Sequence, residues 1–284
     1  MEELSIKYKE YKELDKLKFD KGVFHTESEI YIYPNDSNKI LKIYKRKDKP
    51  YLDKKYRIIN NLFSFIAEEK INELVIPCGI VKINDIFRGE ILNKVDGINS
   101  SYYLNNKNVD INKKIDILKQ VGNILKKIRD SNPKYNVAFS DVHSDNFMVS
   151  NDKVYGIDTT GMKICDIKGV VNNYIFQLSD YNISKYELDD FDIIKPSVET
   201  DIYCYIMMIL KSISGLNDIY LYSVDRYRKY LDELENIGFD INLLNSFNSI
   251  YDDYTNNIDP LPYLDTLYDL SDEKLNACRK VFTN

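Results

Sequence analysis

Three residues with oxygen-bearing side chains, Asp141, Asn146 and Asp158, fall inside FSDVHSDNFMVSNDKVYGIDTTG, residues 139–161. Asp141 and Asn146 are five positions apart, and Asp158 lies twelve beyond Asn146. Between them stand two short apolar runs, FMVS at 147–150 and KVYGID at 153–158, around Asn151-Asp152. Such runs separated by two turn residues predict a β-hairpin. Its reversal of the chain predicts that the three side chains converge at one mouth. A carboxylate and an amide oxygen suit Mg²⁺, a hard cation that takes a few protein oxygens and completes its shell with phosphates and water. Asp141 is then left to orient or deprotonate a hydroxyl nucleophile. His143 is either a hydrogen-bonded loop residue or a participant. Taken singly, Asp-x-x-x-x-Asn arises easily in a chain this rich in both residues. The weight therefore rests on the elements that would have to hold the set in place.

Those elements have a definite order. Two β-type runs, 29–34 and 39–45, flank the turn signal NDSN, and the second carries Lys42. Leu52 to Lys70 has helical spacing, with Ile58, Ile59, Leu62, Phe63 and Ile66 on one face. VIPCGIVKI (75–83) and IFRGEILNKV (86–95) read as strands joined at Asn84-Asp85. The remainder is mostly helical. Asp110 to Asp130 carries a 3.6-residue apolar stripe that Asn132-Pro133 is expected to stop. Thr200 is expected to cap an apolar helix from Asp201 to about Ser214, and amphipathic helices are expected over 223–236 and 264–281. Residues 159–200 read as irregular.

Composition narrows the function classes. The 284 residues are 44% hydrophobic and 30% charged, the make-up of a globular chain long enough to bury its own core. With 45 acidic against 39 basic residues the net charge is −6, which argues against a nucleic-acid coat binder. The basic runs Lys45-Arg46-Lys47 and Lys54-Lys55-Arg57 read as solvated faces. Cys78, Cys165, Cys204 and Cys278 are scattered and suggest neither a zinc site nor a disulfide framework. The charged N-terminus lacks a signal-peptide core, and the longest apolar run, Ile202–Leu210, is too short to span a bilayer. A soluble cytoplasmic protein with no membrane span is expected. No G-x-x-x-x-G-K-S/T occurs, so a P-loop NTPase is excluded at the level of motif.

The ordered set Lys42, 89–97, Asp141, Asn146, Asp158 and Asp201 resembles the protein-kinase-like superfamily over roughly residues 20–215. The resemblance implies an α+β, bilobal fold. Its N-lobe, 1–96, would be a small antiparallel sheet with one helix, and its C-lobe, 97–284, would be mainly helical. It implies ATP and Mg²⁺ as cofactors. Asp141 would be the catalytic residue, Asn146 and Asp158 the metal ligands, and Lys42 the partner of the α- and β-phosphates. In GEILNKVDG, Leu92 would stand as gatekeeper, with Asn93 and Val95 at the adenine edge. Asp201 would brace the catalytic loop. Departures from the pattern are equally specific. Phe139 stands where His is common, and Asp158-Thr159-Thr160-Gly161 replaces Asp-Phe-Gly. Only Gly22, in KGVFHTESEIY, serves a phosphate-covering loop that usually has several glycines; His25, Thr26 and Ser28 are the side-chain donors there. Ile58 to Ala67 holds no acid, leaving Asp53, Glu68 or Glu69, or the neutral Asn60 and Asn61, to partner Lys42.

The acceptor implied first is Ser/Thr in a protein, because 159–200 is long enough for a peptide-docking activation segment. Ser179, Thr159, Thr160 and Tyr174 are its modifiable residues. The Asp-Val-His form of the loop resembles aminoglycoside and choline kinases, which leaves a small hydroxyl-bearing substrate as the alternative. A pseudokinase acting as a binding module is the third reading.

Overall fold

The computed structural model describes residues 1–15, 27–169, 185–188, 194–214, 224–252 and 254–281. Gly22, His25, Thr26, Tyr174 and Ser179 lie outside them. The fold is mixed α+β, with a five-stranded and a three-stranded sheet accompanied by helices. The chain divides into two compact units, 1–96 with 157–160, and 97–156 with 161–284.

In the first unit the strands are β1 (Glu2–Ile6), β2 (Ser28–Ile32), β3 (Lys39–Tyr44), β4 (Pro77–Ile83) and β5 (Ile86–Asn93), with helices α1 (Tyr8–Lys12) and α2 (Lys49–Glu69). Their spatial order is β1-β4-β5-β3-β2. All pairings are antiparallel except β1 with β4, which is parallel. The β4–β5 turn has Asn84 at φ 50° and Asp85 at φ 64°. Two left-handed residues in succession give the turn whose twist matches a hairpin, and Asn and Asp tolerate that region best among side-chain-bearing residues. Alternation along β3 sends Leu41 and Ile43 into one core, with Tyr31, Tyr33, Val81, Ile83 and Ile91. Lys42 and Tyr44 leave the sheet on the other face. Helix α2 is capped by the Asp48 side chain, which accepts from the Tyr51 amide, and it buries Leu52, Ile58, Ile59, Leu62 and Phe65. Strand β1 and helix α1 have no counterpart in the sequence expectations. Leu4 and Ile6 do alternate with more exposed residues there, a period-two signal hidden by the surrounding charges.

The second unit holds α3 (Ser100–Leu104), α4 (Ile111–Tyr135), the small sheet β6 (Ile98–Asn99), β7 (Phe147–Ser150) and β8 (Lys153–Gly156), then α5 (Val198–Ser214), α6 (Val224–Asn236), α7 (Ile241–Asn248) and α8 (Asp272–Val281). Every residue of α5 from Thr200 to Leu210 is buried, as its all-round apolar sequence requires. It packs on α4, where Tyr205 Oη donates to the Leu118 carbonyl at 2.7 Å. Gly122 makes room for this contact, since a Cβ there would stand 2.4 Å from the Tyr205 hydroxyl.

Three boundaries differ from the sequence expectations. Helix α4 continues through Pro133 and ends only at Asn136, whose φ is 46°. So close to the helix end, a proline forfeits one backbone bond without stopping the last turn. Helix α5 begins at Val198, and Ser197 is its cap. The Ser197 amide donates to Thr200 Oγ1 at 2.7 Å and the Thr200 amide to Ser197 Oγ at 3.2 Å. Thr200 thus supplies the far half of a reciprocal box rather than the cap itself. The stretch 264–281 is divided into a 3-10 helix over Leu261–Asp269 and the separate α8. No helix among the described residues is long and apolar enough to cross a membrane.

A buried cation ties two helix ends in this unit. Lys114 Nζ donates to the Leu104 carbonyl at 3.0 Å and the Ser212 carbonyl at 3.1 Å, at the C-terminal ends of α3 and α5. Burial, and secondarily the charge of Arg279, pushes its pKa down to about 8. The unfolded chain therefore holds a proton that the folded one has lost between about pH 8 and the ordinary lysine value near 10.4. Stability from this group rises with pH across that window and is constant below it. The melting-temperature difference between wild type and Lys114→Met should accordingly widen in favour of wild type from pH 8 to pH 10. A difference that stays flat would show that Lys114 is not titrating there.

Candidate functional site

Within the first unit, Lys42 is 8% exposed and pairs with two carboxylates. Its Nζ donates to Asp158 Oδ1 in a short ion pair and stands 3.6 Å from Glu90 Oε1. Lys42 and Glu90 face each other across β3 and β5, so the ladder itself brings them together. The strands approach closely here: a Cβ on Gly89 would stand 2.3 Å from the Lys42 carbonyl oxygen. Burial alone would pull the Lys42 pKa down. The charges of Asp158 and Glu90, with the Asp158 hydrogen bond, hold it above its ordinary value. Glu90 is 1% exposed, and burial raises its pKa against the pull of Lys42.

The acid facing Lys42 thus comes from β5 and from Asp158, and the expectation of Asp53, Glu68 or Glu69 is corrected. Helix α2 instead sends a cation to this face. Lys55, grouped in sequence with a solvated basic run, has a side chain only 4% exposed. Its Nζ reaches Glu27 Oε2 and the Thr160 carbonyl, each at 3.3 Å. Asp158 lies two residues past the end of β8, and its φ of 56° is left-handed. The two threonines after it are buried and bonded: Thr159 Oγ1 donates to the Val75 carbonyl at 2.9 Å, and Thr160 Oγ1 to Glu90 Oε1 at 3.3 Å. The Tyr44 and Tyr51 hydroxyls are buried beside this cluster, and burial raises the pKa of both. Leu92 follows Glu90 on the same face of β5 and is half-buried, Asn93 is exposed, and Val95 is half-buried.

The second unit holds the 139–146 loop. Asn146 Nδ2 donates to the Asp141 carbonyl at 2.8 Å and to Asp141 Oδ2 at 3.1 Å, so these two expected residues are in direct contact. His143 Nδ1 accepts from the Asp145 amide at 3.3 Å, and Nε2 stands 3.4 Å from Asp141 Oδ2. With Nδ1 an acceptor, the proton of the neutral ring belongs on Nε2, facing Asp141. The loop is fixed from beneath by Asp201. Its Oδ2 accepts from the Phe139 amide at 2.6 Å and its Oδ1 from the Ser140 amide at 2.8 Å. Burial pushes the Asp201 pKa up to about 7 against the pull of these two amides. Ser140 is held at φ 74°, and Phe139 stacks on Phe147 with ring centroids 5.1 Å apart. Phe139 fills its place by apolar packing. Ser100 Oγ and Asn99 Nδ2 add bonds to the Ser144 and Asp145 carbonyls, at 2.6 and 2.7 Å.

Within the first unit Asp158 offers a carboxylate 38% exposed, the kind of oxygen donor that a hard cation such as Mg²⁺ takes. No group of three or more His, Cys, Asp or Glu side chains among the described residues is placed to hold a metal by itself. Any such ion would draw the rest of its shell from ligand oxygens and water. Glu90 was not singled out from sequence; Lys55 was read as part of a solvated run, and Thr160 as a modifiable residue, whereas both are buried at this face. The missing signal was the adjacency of β3 and β5, which puts Glu90 opposite Lys42. No protein-family model matches the chain, and the search of curated proteins finds none similar to it.

Asp201→Asn is expected to remove a charged acceptor and turn an NH₂ group toward a backbone amide. The loss should be about 2 kcal/mol, the scale of a hydrogen bond to a charged group. It should appear as a melting point lowered by several degrees and faster amide exchange at Phe139 and Ser140. Unchanged exchange at both amides would show that the carboxylate does not hold the loop.

Proposed function

We propose that this chain is an ATP- and Mg²⁺-dependent phosphotransferase of the protein-kinase-like kind, moving the γ-phosphoryl group to a hydroxyl. The observation that carries the reading is the ion pair of Lys42 with Asp158, 116 residues apart in sequence. The resemblance names these as the phosphate-binding lysine and the metal-binding aspartate. Lys42 would hold the α- and β-phosphates, and Asp158, its ion-pair partner, would hold the metal. The resemblance implies Asn146 as the other residue that would hold the metal. Asp141, oriented by Asn146 and His143, accepts the proton of the attacking hydroxyl. Leu92, Asn93 and Val95 line the adenine side. Mg²⁺, when bound, neutralises phosphate charge, and phosphoryl transfer asks little more of the protein than positioning and electrostatics.

The acceptor assigned first is Ser/Thr of a protein, on the length of the 159–200 segment. A small alcohol is the second reading, and the His143 ring beside Asp141 favours it. A binding module without catalysis is weakened by Asp141, Asn146 and Asp158, each held by specific bonds.

Mg²⁺ with ATP at 100 times its dissociation constant should stabilise the protein by about 2.7 kcal/mol. That corresponds to a rise of roughly 4–5 °C in melting temperature for a chain of this size. The Mg²⁺-dependent part of the rise should vanish in Asp158→Asn, and most of the whole in Lys42→Met. No shift with any nucleoside triphosphate would overturn the reading. Transfer of labelled phosphate to a protein or to a small alcohol then separates the two acceptors.

A further inference from the structure

The orientation of Lys42 is set by the sheet and not by the helix. Lys42 and Glu90 occupy directly opposed positions on β3 and β5, so their side chains leave the sheet on one face whatever α2 does. Asp158, the other carboxylate on Lys42, is also the one exposed enough to receive a cation. A carboxylate that turns to a divalent cation no longer neutralises the lysine beside it. Glu90 is then the acid that remains at Lys42, and it is too deeply buried to be drawn away by solvent. Meanwhile α2 presents Lys55 to the same face, where it holds the Thr160 carbonyl.

We propose that Glu90 is the positioning residue that aims Lys42 at the phosphates of a bound nucleotide, while Lys55 of α2 fastens the 158–160 segment from which Asp158 receives the metal. The usual assignment of charge is thereby exchanged, with the acid on the strand and the cation on the helix. A displacement of α2 would loosen the 158–160 segment and leave Lys42 correctly aimed, so it would weaken the metal-dependent part of binding first. This inference rests on the nucleotide-binding reading given above.

The test is calorimetric titration of ATP with and without Mg²⁺, and of adenosine, which lacks phosphates. The proteins are wild type, Glu90→Gln, Glu90→Asp, Lys55→Met and the α2 double variant Glu68→Gln/Glu69→Gln, each checked for a folded melting profile. Glu90→Gln should weaken ATP at least tenfold and leave adenosine within about twofold, a split that general damage to the fold would not produce. Glu90→Asp, which keeps the charge one methylene further back, should show the same split at smaller size, and it carries the test if Glu90→Gln does not fold. Lys55→Met should lose the Mg²⁺-dependent gain in ATP affinity while keeping the metal-free affinity. The α2 double variant should match wild type. Equal weakening of ATP and adenosine by both Glu90 variants, or loss of ATP in the α2 double variant instead, overturns the role of Glu90. An undiminished Mg²⁺ gain in Lys55→Met overturns the role of Lys55. A wild type that binds none of the three ligands overturns the nucleotide reading, and this inference with it.

Discussion

A buried ammonium group has to be matched by buried negative charge, and in the first unit that requirement organises everything near Lys42. The cluster around it contains two cations, Lys42 and Lys55, and three carboxylates, Glu27, Glu90 and Asp158. Removing one partner of such a pair typically costs about 3–5 kcal/mol, because the charge left behind has neither water nor counter-ion. The local structure follows from this. Gly89 lets β5 close on β3, the ladder register sets Glu90 opposite Lys42, and the 158–160 segment is drawn to the same face by four separate polar contacts.

The second unit solves a related problem with the opposite sign. Asp201 is a buried carboxylate at the start of α5, and its direct hydrogen-bond partners are two backbone amides. Those donors belong to the residues immediately before Asp141, so a buried acid holds the backbone that aims a half-buried one. Asn146 and His143 then act on the Asp141 side chain itself. Each layer depends on the one beneath: helix, amides, backbone, carboxylate.

Much of this was legible in the sequence, and the gaps have physical causes. The hairpins at 84–85 and 151–152 were readable because Asn-Asp in a two-residue loop has a specific backbone consequence, and all four residues are left-handed as that chemistry requires. The α4 stripe and the apolar α5 were readable because periodicity and burial are two descriptions of one fact. Boundaries were harder. Pro133 breaks one bond of many, and Thr200 could be placed near a cap without revealing which half of the box it supplied. Strand β1 was hidden because its short alternation is masked by charged neighbours and its partner, β4, is parallel and remote in sequence. Glu90 was missed for a similar reason. It is a partner across a ladder, and strand adjacency is a property of topology that no spacing within one strand encodes.

The positions of backbone strain bear on how such a site is built. Ser140 and Asp158 both lie in the left-handed region, one directly before Asp141 and the other itself a proposed metal ligand. Outside glycine this conformation is sparsely populated and persists only where the surroundings over-determine it. For Ser140 the surroundings are the Asp201 carboxylate and a bond from the Lys163 amide to its own hydroxyl at 2.8 Å. For Asp158 they are the Lys42 ion pair and the bonds of Thr159 and Thr160. A turn that needed only to reverse the chain would place Gly or Asn at these positions. Ser and Asp are there at a conformational cost, and what offsets that cost at each is hydrogen bonding to the same residues that set the direction of an acid.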